Sequence, residues 1–445
     1  MKRTWFRVHS STGVITGLLL FVICWSGTFA VFSKELDWLA SPELRVEPLA
    51  QFSTWGEIQA AAQAAVPGAT VNSIFAPLNE RAAAQLFLTA EDGQALEVWV
   101  NPYTAEVTAM STSRYTIQRF FRSFHMSFFI PTAGLYLVTL FGITLLLSLG
   151  AGLMFYKRWW SRFLRFKSGN GRIFWSELHK TSGLWSIWFV LLIGVTSVWY
   201  LFEISRLDFG DGKVRYAGSG EYAVMQIPEP AGSERLPTLS LNDIVESLAS
   251  DWPEFEISAI HHDWPVEGSV SFEGDSRFPL VRERANQAHV DPVTGKLLLQ
   301  HAWHELPVYW LWSDMADPLH FGDFGGIWSK AVWFVFGVIL SGLILSGTYL
   351  HSKRLIQEAR GRRRHRWPGT LAAILVSVFV LIAAVPFGLF EAREYYGESI
   401  NGVKQLPSLA TGVKWILMIW LSLTLGIIFL WVRAFWSALH TKRAV

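Results

Sequence analysis

Four histidines in this chain stand where apolar segments begin. His9 opens His9-Ser10-Ser11-Thr12-Gly13, and His179 opens His179-Lys180-Thr181-Ser182-Gly183, each just ahead of a long hydrophobic run. His125 and His320 precede two more such runs. Imidazole is an axial ligand for haem iron and a ligand for several transition metals. Ionisable side chains in apolar helices are costly, so four of them together point to function. Paired across a bundle, two imidazoles at one depth hold one b-type haem, and four imply two haems. Gly13 and Gly183 each lie four residues past a histidine, on the same helical face. A missing side chain there lets a flat porphyrin lie against the backbone. His351, at the far end of the fourth apolar run, is an alternative ligand to His9 or His179, or a hydrogen-bond partner for a propionate. The single Cys24 excludes an internal disulfide, a four-thiolate metal site and a Cys-x-x-Cys-His haem attachment.

Helices in a bilayer must position these residues. Of 445 residues, 51% are hydrophobic and 17% charged, against about a quarter charged in soluble chains. Six stretches, near 13–33, 131–156, 181–202, 327–350, 369–390 and 411–432, are long enough to span. The expected order is helix 1 in residues 1–33, a polar domain at 34–124, helix 2 at 125–156 and a short loop at 157–180. Helix 3 at 181–202, a second polar domain at 203–319 and helix 4 at 320–351 follow. A basic loop at 352–368, a helical hairpin at 369–432 and a tail at 433–445 complete the chain. The first apolar run is longer than a signal-peptide core and lacks a clean cleavage site, so it reads as a retained helix. Lys2, Arg3 and Arg7 precede helix 1. Lys157, Arg158, Arg162, Arg165, Lys167 and Arg172 follow helix 2. Lys353, Arg354, Arg360, Arg362, Arg363, Arg364 and Arg366 follow helix 4, and Lys442 and Arg443 end the chain. With six spans all four clusters fall on one side, which the positive-inside rule makes cytoplasmic. Both termini are then cytoplasmic and both polar domains outside. The net charge of +2 carries no signal for nucleic acid. On this topology His9 and His179 lie near the inner face, and His125 and His320 near the outer face.

The chain is duplicated. With His125 set on His320, the next 31 residues align without a gap, placing Gly142 on Gly337, Gly152 on Gly347 and Tyr156 on His351. Each polar domain carries a helix-like stretch (Gly56–Val66, Leu241–Trp252) and strand candidates (Leu86–Thr89, Val270–Phe272). Each also holds a strand–turn–strand at Val100–Val107 or Val290–Leu297. The fold class expected is a six-helix, internally duplicated membrane protein with two small α+β domains. The final hairpin has no partner in the repeat.

The His-x-x-x-Gly starts, the segment Pro318-Leu319-His320-Phe321-Gly322 with Gly325, Gly326 and Lys330, and the two Asn/Asp-Pro-x-Thr turns carry a resemblance over about residues 1–355. Together they resemble the PepSY-associated transmembrane family, which includes inner-membrane ferric-siderophore reductases. One departure is visible: Ser10 and Ser11 follow His9 where the family usually carries bulky aromatics. The resemblance implies a bacterial inner-membrane protein with two PepSY-like periplasmic domains and two haem b. Its implied task is reduction of a periplasmic ferric siderophore. Arg114, Arg119, Arg122 and Lys330 lie near the outer histidines. Of these, Arg122 and Lys330 are candidate propionate partners, with snorkelling to lipid phosphate and capture of an anionic ferric chelate the alternatives. His261, His262, His301, His304 and Glu305 read as surface groups of the second polar domain. No nucleotide-binding motif is present, so the electron donor is a quinol, a flavin or a separate reductase. Two other readings stay open: a haem-free regulatory or peptidase-inhibiting module, and an accessory subunit of an iron or siderophore transport system.

Overall fold

The computed structural model describes residues 2–112, 115–163, 166, 169, 171–209, 226–228, 238–275, 278–360, 370–400 and 402–440. Arg114, Arg165, Lys167, Arg362, Arg363, Arg364, Arg366, Lys442 and Arg443 lie outside them. Five helices are long and apolar enough to cross a membrane: Ala133–Phe155, Ile187–Phe209, Gly326–Arg354, Leu371–Tyr396 and Thr411–Arg433. Arg3–Ile15 and Gly17–Ala30, bent by 67° at their junction, make a sixth candidate crossing when taken as one span. The protein is therefore a multi-pass membrane protein.

The first and third expected spans are each broken into two helices, while 131–156 and 327–350 are single helices, each preceded by a short helix and a turn. In the first repeat these are α1 (Lys2–Ile15) with α2 (Gly17–Ala30), and, beyond the short α3 (Ser33–Ala40) and α4 (Trp55–Ala65), α5 (Ile117–Ser127) with α6 (Ala133–Phe155). In the second they are α7 (Arg172–Trp185) with α8 (Ile187–Phe209), and, after α9 (Leu241–Asp251), α10 (Val308–Phe321) with α11 (Gly326–Arg360). The hairpin is α12 (Thr370–Tyr396) and α13 (Thr411–His440). The first break of each repeat falls at matched positions, Thr16 and Ser186. The Thr16 hydroxyl returns to the Thr12 carbonyl at 2.8 Å, a side-chain bond that competes with the helix ladder and bends it. The second break needs left-handed backbone. Phe128 caps α5 at φ 53°, and Gly322 caps α10 at φ 72°. Gly322 has no room for a side chain, because a Cβ there would stand 2.3 Å from the Trp333 ring.

The breaks correct the expected histidine placement. His125 and His320 do not open the long helices; they lie near the C-terminal ends of the short α5 and α10. His9 and His179 sit within α1 and α7. The short helices are amphipathic or only modestly apolar, so they can lie across the bundle while the long apolar helices run through it.

The two expected polar domains are one. Strands β1 (Thr70–Phe75), β2 (Ala84–Thr89), β3 (Ala95–Val100) and β4 (Val107–Ser111) come from the first repeat. Strands β5 (Glu256–His262), β6 (Val270–Asp275), β7 (Gln287–Val290) and β8 (Leu297–His301) come from the second. They form a single antiparallel sheet in the order β4-β3-β2-β1-β5-β6-β7-β8. The halves meet at β1–β5, where Ser73 faces His261, Ile74 faces Ile260 and Phe75 faces Ala259. A fully buried row, Val98, Leu86, Ile74, Ile260, Phe272 and Ala288, crosses the sheet. It belongs to one core with Ile58 and Ala62 of α4 and Leu241, Ile244 and Leu248 of α9. Each of these helices starts with a capping box, Thr54 with Glu57 and Ser240 with Asp243. Pairing the two β1-type edges also removes exposed edges that would invite aggregation.

Two ion pairs tie the other side of the sheet region to the bundle. Arg119 of α5 reaches Glu97 of β3 at 2.6 Å, and Arg284, just before β7, reaches Asp314 of α10 at 2.6 Å. Arg119 and Asp314 occupy matched repeat positions with opposite charge. His289 of β7 also lies on this side and is fully buried, with Nε2 3.1 Å from Gln287 Oε1. Burial, with His301 and His261 nearby, lowers its pKa to about 3. The folded state thus holds the ring neutral, while the unfolded state protonates near 6.5. This contribution is present above pH ~6.5 and is lost as pH falls toward 3. It costs about 2 kcal/mol of stability by pH 5. The melting midpoint should fall between pH 7 and pH 5, and less steeply in His289→Gln; equal slopes would refute this assignment.

Candidate functional site

The bends bring the four histidines together in two pairs. The His9 and His179 rings have centroids 6.2 Å apart, and so do those of His125 and His320. Each pair combines matched residues of the two repeats. Each also lines its own cavity, about 310 Å³ around His9 and His179 and about 280 Å³ around His125 and His320. Leu20, Leu145 and Leu340 line both cavities, so one apolar layer divides them.

All four rings are held through the same nitrogen. His9 Nδ1 lies 2.9 Å from the Ser148 carbonyl, and His125 Nδ1 lies 3.0 Å from the Ile23 carbonyl. A carbonyl only accepts, so both Nδ1 atoms carry the proton. His179 Nδ1 meets Ser346 Oγ at 3.0 Å, and His320 Nδ1 meets Thr196 Oγ1 at 2.8 Å. Those hydroxyls already donate to the Leu343 and Leu192 carbonyls, so they too accept from Nδ1. Among the described residues no hydrogen bond is made by any of the four Nε2 atoms. The chain thus presents two pairs of Nε2 lone pairs with fixed tautomer, the arrangement that supports metal-ligating histidines.

The spacing suits two axial ligands on one metal. A five-membered ring with bonds of about 1.33 Å has its nitrogen about 1.1 Å from the centroid. With a metal–imidazole bond of about 2.0 Å, rings at a centroid spacing of 6.2 Å would have room to hold one metal ion between them. Glycines supply the flatness. A Cβ on Gly27 would stand 2.6 Å from His125, one on Gly347 3.2 Å from His179, and one on Gly152 3.4 Å from His9. Gly13 faces nothing within 4 Å and Gly183 only Leu343 at 3.7 Å, and both open into the inner cavity. The donor set and the open glycine-lined walls fit a bis-histidine haem in each cavity.

Charge is arranged differently at the two sites. Arg354 and Lys180 line the inner cavity. Arg122, Asp317, Glu203 and Tyr200 line the outer one. Arg122 and Asp317 are repeat equivalents, each three residues before its histidine. Tyr200 donates to Asp317 at 2.8 Å and stacks edge-on to His320, with centroids 5.3 Å apart. Glu203 accepts from Ser313.

The remaining candidates fall elsewhere. Lys330 does not line the outer cavity; it is paired with Glu35 at 2.5 Å. Arg119 is taken by Glu97 and Tyr396. His351 is buried with Nδ1 3.3 Å from Ser10 Oγ, so the serine that follows His9 contacts this extra histidine. His301 is buried, not a surface group, while His304 and Glu305 are exposed, so the three do not converge. Sequence reasoning missed Ser26 and Thr196, repeat equivalents that bond the outer histidines, and the supporting role of Gly27. The matched Gly152 and Gly347 were a visible signal for the backing of His9 and His179. Arg354 was legible only as a topology charge.

A duplicated membrane bundle with half-buried, matched histidine pairs beside an eight-stranded sheet defines the class. The chain belongs to the PepSY-associated TM region family, which matches residues 6–354. It is 28% identical over 275 residues to the uncharacterized protein PA4219 of Pseudomonas aeruginosa, covering 58% of this chain and 69% of that one. The hairpin α12–α13 lies outside the family match.

Proposed function

We propose that this protein is an electron carrier of the bacterial inner membrane. It holds one haem b between His9 and His179 and another between His125 and His320, and it reduces a ferric siderophore in the periplasm. The observation that supports this reading is the pair of 6.2 Å histidine spacings with every Nδ1 committed and, among the described residues, no hydrogen bond at any Nε2. Bound haem supplies reversible one-electron iron chemistry. The protein's own part is to fix the imidazoles, keep water from the Leu20–Leu145–Leu340 layer and place cations for carboxylates. Arg354 serves the inner site and Arg122 the outer, while Lys180 is held by Glu177 at 2.8 Å. The basic clusters support cytoplasmic termini and a periplasmic sheet. Electrons enter from a quinol, a flavin or a separate reductase. A chelator built for Fe(III) holds Fe(II) less tightly, so reduction releases the metal.

Purified protein should be red, with two haems per chain and a Soret band that sharpens and shifts on dithionite. Adding a ferric siderophore to the reduced protein should restore the oxidised spectrum. A folded but colourless preparation would sink this reading and favour a haem-free regulatory module.

A further inference from the structure

A cation without an ionic partner stands at the rim of the outer cavity. Val31 lines the cavity, and Lys34 follows it one turn on, at the start of α3. Two other cations share this rim. Lys330 lies one turn before Trp333, a cavity-lining residue, and Arg282 stands over the ring of Phe321, another, at 5.2 Å. Both have partners: Arg282 engages Asp317 and Asp323, and Lys330 engages Glu35. Lys34 has none among the described residues. The Asp323 and Glu283 carboxylates are near enough to act on it through space, but neither reaches ion-pairing distance. Lys34 is an exposed residue. Crowding by protein, then the neighbouring Arg282 and Lys330, hold that ammonium below the ordinary lysine range. An anion placed beside it would relieve both effects.

We infer that Lys34 is the anion-receiving group at the mouth of the outer cavity, taking a carboxylate or similar anionic oxygen ligand between Arg282 and Lys330. The inference rests on the reading above for what those oxygens belong to. They come either from the carboxylates of the resident porphyrin or from an anionic ferric chelate docking at the cavity edge. The chemistry is the same, a charge-assisted hydrogen bond from the ammonium; the experiment separates the sources.

Full-length Lys34→Gln and Lys34→Arg are compared with the parent. Haem per chain, the outer midpoint potential and reoxidation by ferric citrate, an anionic probe, are measured beside reoxidation by a cationic ferric trihydroxamate. If the ligand is resident, Lys34→Gln loses outer haem or shifts its potential, and Lys34→Arg restores both. If the ligand is the acceptor, haem content and potential stay unchanged. The ferric citrate rate then falls about tenfold at low salt and loses its salt dependence. The cationic chelate is not slowed, and Lys34→Arg recovers the citrate rate. Parent-like haem content, potential and rates in Lys34→Gln overturn the inference while leaving the haem reading intact. If the parent itself is colourless, the haem reading fails, and calorimetric binding of citrate still decides: equal affinity for parent and Lys34→Gln overturns the Lys34 assignment, and weakened binding supports it.

Discussion

On the proposed two-haem reading, His320→Ala should remove the outer haem and leave the inner one, so that roughly half the Soret absorbance survives. His320 has one partner across its cavity, His125, and its ring is fixed by Thr196. Alanine leaves His125 facing open space, and one imidazole cannot supply both axial positions of a low-spin site. The inner pair is insulated from this change by the Leu20–Leu145–Leu340 layer and keeps its own supports on Ser148 and Ser346. His125→Ala should reproduce the result, and His179→Ala should remove the complementary half. Together, His320→Ala and His179→Ala should bleach the protein. His351→Ala is the control, because its ring is directed to Ser10. If it halved the absorbance while His9→Ala left it whole, the inner pair would have to be redrawn.

Arg284→Met should be among the most damaging changes outside the cavities. The Asp314 side chain it meets is 0% exposed, and Arg284 also reaches Asp317 at 3.3 Å. Removing one partner of a buried pair costs about 3–5 kcal/mol, mostly from the charge left behind in low dielectric. Asp314 and His320 share α10, so the loss reaches the outer cavity through the helix that carries His320. The melting temperature should drop sharply, and outer haem should be lost on purification while inner haem is retained. Adding Asp314→Asn should recover much of the loss, because it removes the stranded charge. A parent-like melt for Arg284→Met would show that the pair does not hold α10 to the sheet.

Much of this architecture was legible in the residues. The duplication, the helix starts at Thr54 and Ser240, and the turns at Asn101 and Asp291 are local signals, and the structure places elements there. Pairing of His9 with His179 and of His125 with His320 followed from matched depth. The fused sheet did not follow. Alternation in β1 and β5 tells which side chains face a core, but it says nothing about which strand lies alongside. The turn after His125 was equally silent, because its left-handed residues are Phe128, Phe129 and Thr132 rather than glycines. Partners far apart in the chain, such as Lys330 with Glu35 and His351 with Ser10, leave no periodic trace at all.

The centre of the sheet carries one more implication. Ile74 and Ile260 are equivalent residues of the two repeats and face each other, so β1 and β5 meet as an isologous contact. A half-length ancestor would have met a second copy of itself through this same strand. Its homodimer would have built each cavity from one histidine used twice, once from each subunit, with both subunits contributing identical walls. A single polypeptide that carries both repeats is free of that obligation. Arg122 and Asp317, or Tyr156 and His351, now differ at positions that a homodimer would have been forced to keep alike, which gives a single gene independent control over the two sides of each site.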